Sequence, residues 1–456
     1  MSAIPAQPSL LSTIASADRA AQLDAERHKS LLLRLWILTG LFFMVLPGTV
    51  LGFTNLLSIS AHHGFAGLSD AWIQAHGFSQ VFGWIGSFVL GIGFYSQPKT
   101  RATHGSLPFA CWALWTAGLT LHWLAAAYLW HWRLALPASG VLQFAAILLF
   151  VQAARQHRLP EAAATLPGSA ARRRPQIEPW MQAVLMSNLA LLAALAMDLG
   201  FCCLAAFKGT GPAIPHNLDQ SFLVLLGWGF LAPLVWGFSA RWLPTFLGAA
   251  PTQGRLLQIA LVLDLAGVAS GMVHATRVMT ALIAVAAVLA AASMRVFERA
   301  ERPAKVIGLH PSFPVFLRVA YAWSIVAALL GIWAAWGDAH GGIWGGSRHA
   351  LTVGFAAMMV MTVGPRILPH FAGVRGIYSR NLMLATLLLL LTGCTLRVSM
   401  EPLAYEGLWS FAWKLLPYSG CLELGAVLLF ASQLALTFAL EPSIFADDRE
   451  AARQRA

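Results

Sequence analysis

"GWIGSFVLGIGFYSQP", residues 83–98, carries a pattern that returns twice more in the chain. A glycine and an aromatic (Gly83, Trp84) are followed by eight residues, a second glycine (Gly93), Phe94 and soon a proline. "GWGFLAPLVWGFSARWLP" repeats the layout from Gly227 to Gly237, and "GFAAMMVMTVGPRILP" from Gly354 to Gly364. Internal repetition at a fixed spacing is an architectural signal. Glycine is common in membrane helices, so one copy would carry little weight; three at one spacing carry more.

The surroundings are those of a membrane protein. Of 456 residues, 58% are hydrophobic and 11% charged, against about 25% charged in soluble domains. A spanning helix needs about 20 mostly apolar residues. Twelve such runs begin near residues 31, 72, 109, 134, 180, 219, 256, 278, 315, 349, 381 and 415. The division expected is a cytoplasmic segment 1–30, a twelve-helix domain 31–440 and a cytoplasmic tail 441–456. Residues 1–30 are polar and Ala-rich, without a cleavable signal pattern.

The repeats fall on spans 2, 6 and 10, four helices apart and all running the same way. The fold class expected is an all-α polytopic bundle, with three four-helix units in a pseudo-threefold arrangement. Many transporters instead show two related halves. A twofold repeat would pair span 2 with span 8, whose "ALIAVAAVLAAAS" carries nothing like the pattern. The glycines are expected to let a neighbouring helix or a flat ligand approach the backbone.

The net charge of +11 does not indicate nucleic acid, because of where it lies. With the N-terminus inside, 24 of the 30 Lys and Arg fall on the cytoplasmic side. The outer side keeps Arg133, Lys208, Arg277, Arg348, Arg397 and Lys414. This positive-inside bias puts both termini in the cytoplasm. The run "ARRRPQ" at 171–176 reads as a topology signal of the longest inner loop.

Histidines show the opposite skew. His28, His104, His157, His310 and His370 are assigned to the inner side, and His62, His63, His76, His131, His216, His274, His340 and His349 to the outer. His76 opens span 2 and His349 opens span 10, at matched depth. Neutral imidazole ligates haem iron and suits copper, so two such rings on different helices could clamp a planar macrocycle. Gly83, seven residues from His76, shares its helix face, so a flat ring could stand against Gly83 or Gly86. The plainer reading makes both histidines interfacial.

His216 and His274 are the next metal candidates, as a copper-type site with His62, His63 or His340. His122 lies within span 3. Asp198, Asp264 and Glu423 are carboxylates within spans, which should face the bundle interior, either relaying protons or pairing with polar neighbours. All five cysteines lie in apolar runs; adjacent Cys202 and Cys203 could touch a soft metal or be small buried residues. No phosphate loop, nucleophile elbow, CxxCH or HExxH motif occurs, so any haem would be held non-covalently as b-type.

These motifs resemble the NnrS family, twelve-span haem- and copper-containing bacterial inner-membrane proteins of the nitric oxide response. "RHALTVGF" followed by "PRILPHFAG" is similar to the family's His-Ala-Leu-Thr-Val-Gly stretch and later Arg-x-x-Leu-Gly-His pattern. "GFSARWLPTF" at 237–246 is similar to its Gly-Arg-x-x-Pro-x-Phe-Thr segment. "AHGFSQVFGW" aligns with its His-x-His-Glu-Met-x-Phe-Gly stretch, with His76 on the first histidine, Phe78 in place of the second and Ser79 in place of the glutamate. More distantly the chain resembles haem–copper oxidase main subunits, which carry haem ligands on spans 2 and 10. It lacks their His-x-His in span 10 and their His-His pair in span 7.

The resemblance implies haem b, copper as a second candidate metal, and a role in tolerance of nitric oxide or metal–nitrosyl species. Two alternatives stand beside it. One is a haem–copper-like oxidoreductase reducing nitric oxide or drawing on quinol, with His216 and His274 on a metal. The other is a transporter using histidines for proton coupling.

Overall fold

The computed structural model describes residues 10–96, 106–156 and 177–443, with side chains described from residue 25 and to residue 153 in the second segment. The 171–176 basic run, Pro98 of the first repeat, His104, His157 and most of the C-terminal tail lie outside these residues. Among the described residues, twelve helices are long and apolar enough to cross a membrane. They are α1 (Ala25–His62), α2 (Asp70–Ser96), α3 (Leu107–Tyr128), α4 (Trp132–Ala153), α5 (Pro179–Lys208), α6 (His216–Leu247), α7 (Gly254–Met272), α8 (Thr276–Ser293), α9 (Phe313–Gly337), α10 (Gly342–Phe371), α11 (Arg380–Tyr405) and α12 (Ala412–Leu440). No strand occurs among the described residues. The chain is an all-α, multi-pass membrane protein. Large apolar side chains such as Leu134, Leu189, Val262, Leu265 and Leu388 are left exposed, as a lipid-facing surface requires.

Two boundaries differ from the hydropathy pattern. The helix containing α1 begins at Leu10, ahead of its apolar run, because "ADRAAQLDAERHK" is built of good helix formers. Span 10 begins at Gly342 rather than near 349. Asp338 caps that end: Oδ1 accepts from the Gly341 N–H at 2.6 Å and Oδ2 from the Trp344 N–H at 2.6 Å. Burial pushes the Asp338 carboxyl above its usual range, against the pull of these N–H groups. A polar, glycine-rich turn of helix therefore precedes the apolar run.

Helix contacts repeat three times. α1 packs on α2, α5 on α6 and α9 on α10; α3 pairs with α4, α7 with α8 and α11 with α12. The units join cyclically, α4 on α5, α8 on α9 and α12 on α1. The helices carrying the repeated motif are the inner ones. Their most apolar windows are 72%, 78% and 67% buried for α2, α6 and α10, against 56% or less for the other nine.

Each inner helix also widens to π-type turns, at Ser79–Gly86, Leu225–Leu231 and Ala350–Ala357. The first glycine of each repeat falls inside its widened segment. Glycine tolerates departures from α geometry, and such wide turns are frequent at functional sites. A fourth occurs in α1 at Met44–Val50, where Pro47 lacks an N–H and its ring excludes a regular turn. Thr49 Oγ1 donates to the Met44 carbonyl at 2.9 Å, and Gln80 Nε2 reaches Thr49 Oγ1 at 2.9 Å, tying α1 to α2.

The repeat glycines serve helix packing. A Cβ at Gly83 would stand 2.6 Å from Phe43 Cβ, one at Gly354 would stand 2.6 Å from Trp323 Cγ, and one at Gly93 would stand 2.7 Å from Phe150 Cζ. Gly83→Ala is therefore expected to cost about 1–3 kcal/mol by overpacking. Gly77→Ala, where a Cβ meets nothing within 4 Å, should cost nothing. Thermal unfolding in detergent compares them, and equal midpoints would contradict this packing.

Candidate functional site

The inner helices enclose a cavity of about 360 Å³ near the end where α2 and α10 begin. It is within the usual size range of small-molecule and cofactor sites. His76 and His349 both line it. They lie six residues after Asp70 and seven after Gly342, so the start of each helix sets them at matching depth.

Each imidazole is held through Nδ1. His76 Nδ1 is 2.8 Å from the Gly48 carbonyl in the widened turn of α1. His349 Nδ1 is 2.9 Å from the Gly345 carbonyl, one turn back, and 3.2 Å from Glu401 Oε2 on α11. A carbonyl only accepts, so Nδ1 carries the proton in both rings. Nε2 is left with its lone pair and no hydrogen bond among the described residues. That is the tautomer a metal-ligating histidine adopts, held by the partners usual for one.

Close backbone approach fixes the rings further. The His76 ring lies on Gly52, where a Cβ would collide with Cε1 and Nδ1. A Cβ at Gly345 would collide with the Glu401 carboxylate. Glu401 also accepts from Arg397 Nε at 3.1 Å, and both side chains are buried. Arg397 Nη1 is buried without a partner, and Arg348 borders the same space while binding Gln220. One part of the cavity is thus cationic, while Val81, Trp84, Ile85, Leu226, Val353 and Met361 line other parts with apolar surface.

These features fit a haem. Two ring nitrogens could ligate an iron, apolar walls would suit the macrocycle, and Arg348 and Arg397 would suit its carboxylates. Gly83 and Gly86 do not take part as expected. Phe43 fills the space over Gly83 and Trp115 Cζ2 that over Gly86, at 2.8 Å from a would-be Cβ, so neither glycine borders the cavity. The glycines that matter to the rings are Gly48, Gly52 and Gly345.

His216 and His274 are not brought together with the first pair. Both are exposed; His216 begins α6, and His274 ends α7 in a left-handed conformation and borders a separate cavity of about 230 Å³. His62, His63, His131 and His340 are exposed too. Glu401 was missed in the sequence, although the i,i+4 spacing of Arg397 and Glu401 within an apolar run is a readable sign of a buried ion pair. Asp264 is buried without a partner for its carboxylate, and Glu423 reaches the cavity with Oε1 unpartnered.

Comparison with models of protein families and with curated proteins returns no match for this chain.

Proposed function

We propose that the protein is a membrane-embedded b-type haem protein in which His76 and His349 would hold the haem iron. The observation that carries this is the paired arrangement of the two imidazoles. Both line one cavity, both donate from Nδ1, and both keep Nε2 free. A bound haem would supply one-electron redox chemistry and a binding place for small diatomic ligands. The protein's own residues orient the rings and balance charge. Glu401 withdraws the Nδ1 proton of His349 more strongly than the neutral Gly48 carbonyl does for His76. Through these contacts Glu401 would fix the orientation of the His349 ring and the Gly48 carbonyl that of the His76 ring.

The resemblance to NnrS proteins extends this to tolerance of nitric oxide at the outer face of a bacterial inner membrane, with both termini in the cytoplasm. Copper and a quinol or other electron donor belong to the same extension. The oxidoreductase alternative built on His216 and His274 gains no support from two exposed rings of which only His274 borders a cavity.

The nitric oxide role is tested in cells. A strain expressing the intact chain should resume growth sooner after a nitric oxide donor than one expressing His76→Ala at equal abundance. Equal recovery would remove that role. The haem reading has its own check in Gly52→Ala. The added methyl displaces the His76 ring, so haem content of the purified protein should fall by half or more, while Gly200→Ala, on α5 and outside the cavity lining, keeps it. Full haem content in Gly52→Ala would contradict the ring placement.

A further inference from the structure

A second cluster borders the same cavity, away from the histidine pair in its ligands. His122 on α3 and Asp198 and Cys202 on α5 bring an imidazole nitrogen, a carboxylate oxygen and a thiol sulfur within 4.8 Å of one another. Asp198 and Cys202 are one helical turn apart and so share a face. All three are more than nine-tenths buried, at 7%, 1% and 3% exposure. Small residues make room for them: Ala125, Ala135 and Ala205 pack around Cys202 where α3, α4 and α5 meet.

Two of the polar atoms are not satisfied by the protein. His122 Nδ1 and Asp198 Oδ1 are buried without a hydrogen-bond partner, while Cys202 Sγ donates to Asp198 Oδ2 at 3.8 Å and also neighbours the Ser139 hydroxyl. Buried orphaned groups of this kind are costly unless something pairs with them. Phe78 stacks on the His122 ring at 3.6 Å with planes 1° apart, which holds the imidazole in place.

We propose that His122, Asp198 and Cys202 form a transition-metal site for a divalent ion of the zinc type, with a fourth position open to the cavity. Charge selects the valence. A carboxylate and a thiolate carry two negative charges, no ion pair to Asp198 occurs among the described residues, and a divalent cation makes the buried site neutral. Donor type selects the element: mixed imidazole, carboxylate and thiolate ligation suits zinc, whereas calcium and magnesium take oxygen. Distances allow it. Tetrahedral ligands on zinc stand roughly 3.5 Å apart, so closure by about an ångström is enough. Three protein ligands and an open position are the pattern of zinc sites that bind small ligands. The site is independent of the haem assignment.

The test uses the full-length purified protein, stripped with chelator and titrated with Zn2+, Co2+ and Cu(I) separately. Co2+ should give intense tetrahedral d–d bands and a thiolate charge-transfer band, and Zn2+ should abolish them. This needs no variant. Cys202→Ser should remove the charge-transfer band, and Asp198→Asn and His122→Gln should each weaken binding at least about tenfold. Cys203→Ser should match the parent. Absence of the thiolate band in the unaltered protein, or its survival in Cys202→Ser, would overturn the site. Uptake of Cu(I) with no uptake of Zn2+ or Co2+ would overturn the divalent assignment. Haem content, read from the visible spectrum of each sample, is expected to be the same throughout.

Discussion

Replacing either His76 or His349 by alanine is expected to remove most of the haem from the purified protein. The two rings stand on different inner helices, α2 and α10, and no third histidine shares their placement. His122 lines the cavity but has no hydrogen bond at Nδ1 and is stacked against Phe78. The other outer-side histidines are exposed. Neither loss can therefore be made good from within the bundle. The single variants should differ in kind. Losing His349 also leaves Glu401 without one of its partners, whereas losing His76 frees only the Gly48 carbonyl. Residual haem, if any, should be greater in His76→Ala than in His349→Ala. Added imidazole should restore more absorbance to His76→Ala. Full occupancy in both variants would show that the ligands lie elsewhere.

The second large effect concerns stability. Arg397 and Glu401 form a buried pair at 3.1 Å on one face of α11, with side chains 10% and 7% exposed. Removing one member of such a pair strands the other charge and typically costs about 3–5 kcal/mol. Glu401→Ala should accordingly lower the thermal midpoint sharply in detergent. Replacing both residues, as Arg397→Met with Glu401→Leu, should recover much of that loss, since apolar substitutes for a buried pair are often neutral. The double variant should still bind haem less firmly, because His349 loses the carboxylate that orients it. A midpoint unmoved by Glu401→Ala would mean that the pair is hydrated and contributes little.

Much of the fold was legible in the sequence because the membrane imposes a simple grammar. Twelve apolar runs became twelve helices, and the glycine–aromatic repeat marked the three inner ones. The repeat's physical meaning was less legible. The glycines could have served a neighbour or a flat ligand, and contacts from Phe43, Trp323 and Phe150 assign them to neighbours. His76 and His349 stood out because ionisable rings at one depth on equivalent helices are unusual. Their Nδ1 partners could not be read, since one is the Gly48 carbonyl of another helix. His122, Asp198 and Cys202 were each noted singly. His122 lies 76 and 80 residues before Asp198 and Cys202, and only the packing of α3 against the α4–α5 pair brings it to them.

The central claim, a haem between His76 and His349, is tested most directly by the reduced-minus-oxidised absorption spectrum of the purified full-length protein. The protein should be made in cells supplied with haem precursor and then offered haemin. The account predicts a Soret difference band with the sharp visible bands of low-spin, bis-histidine b-type haem, and iron matching protein in amount. A colourless, iron-free preparation whose spectrum does not change on adding haemin would contradict it.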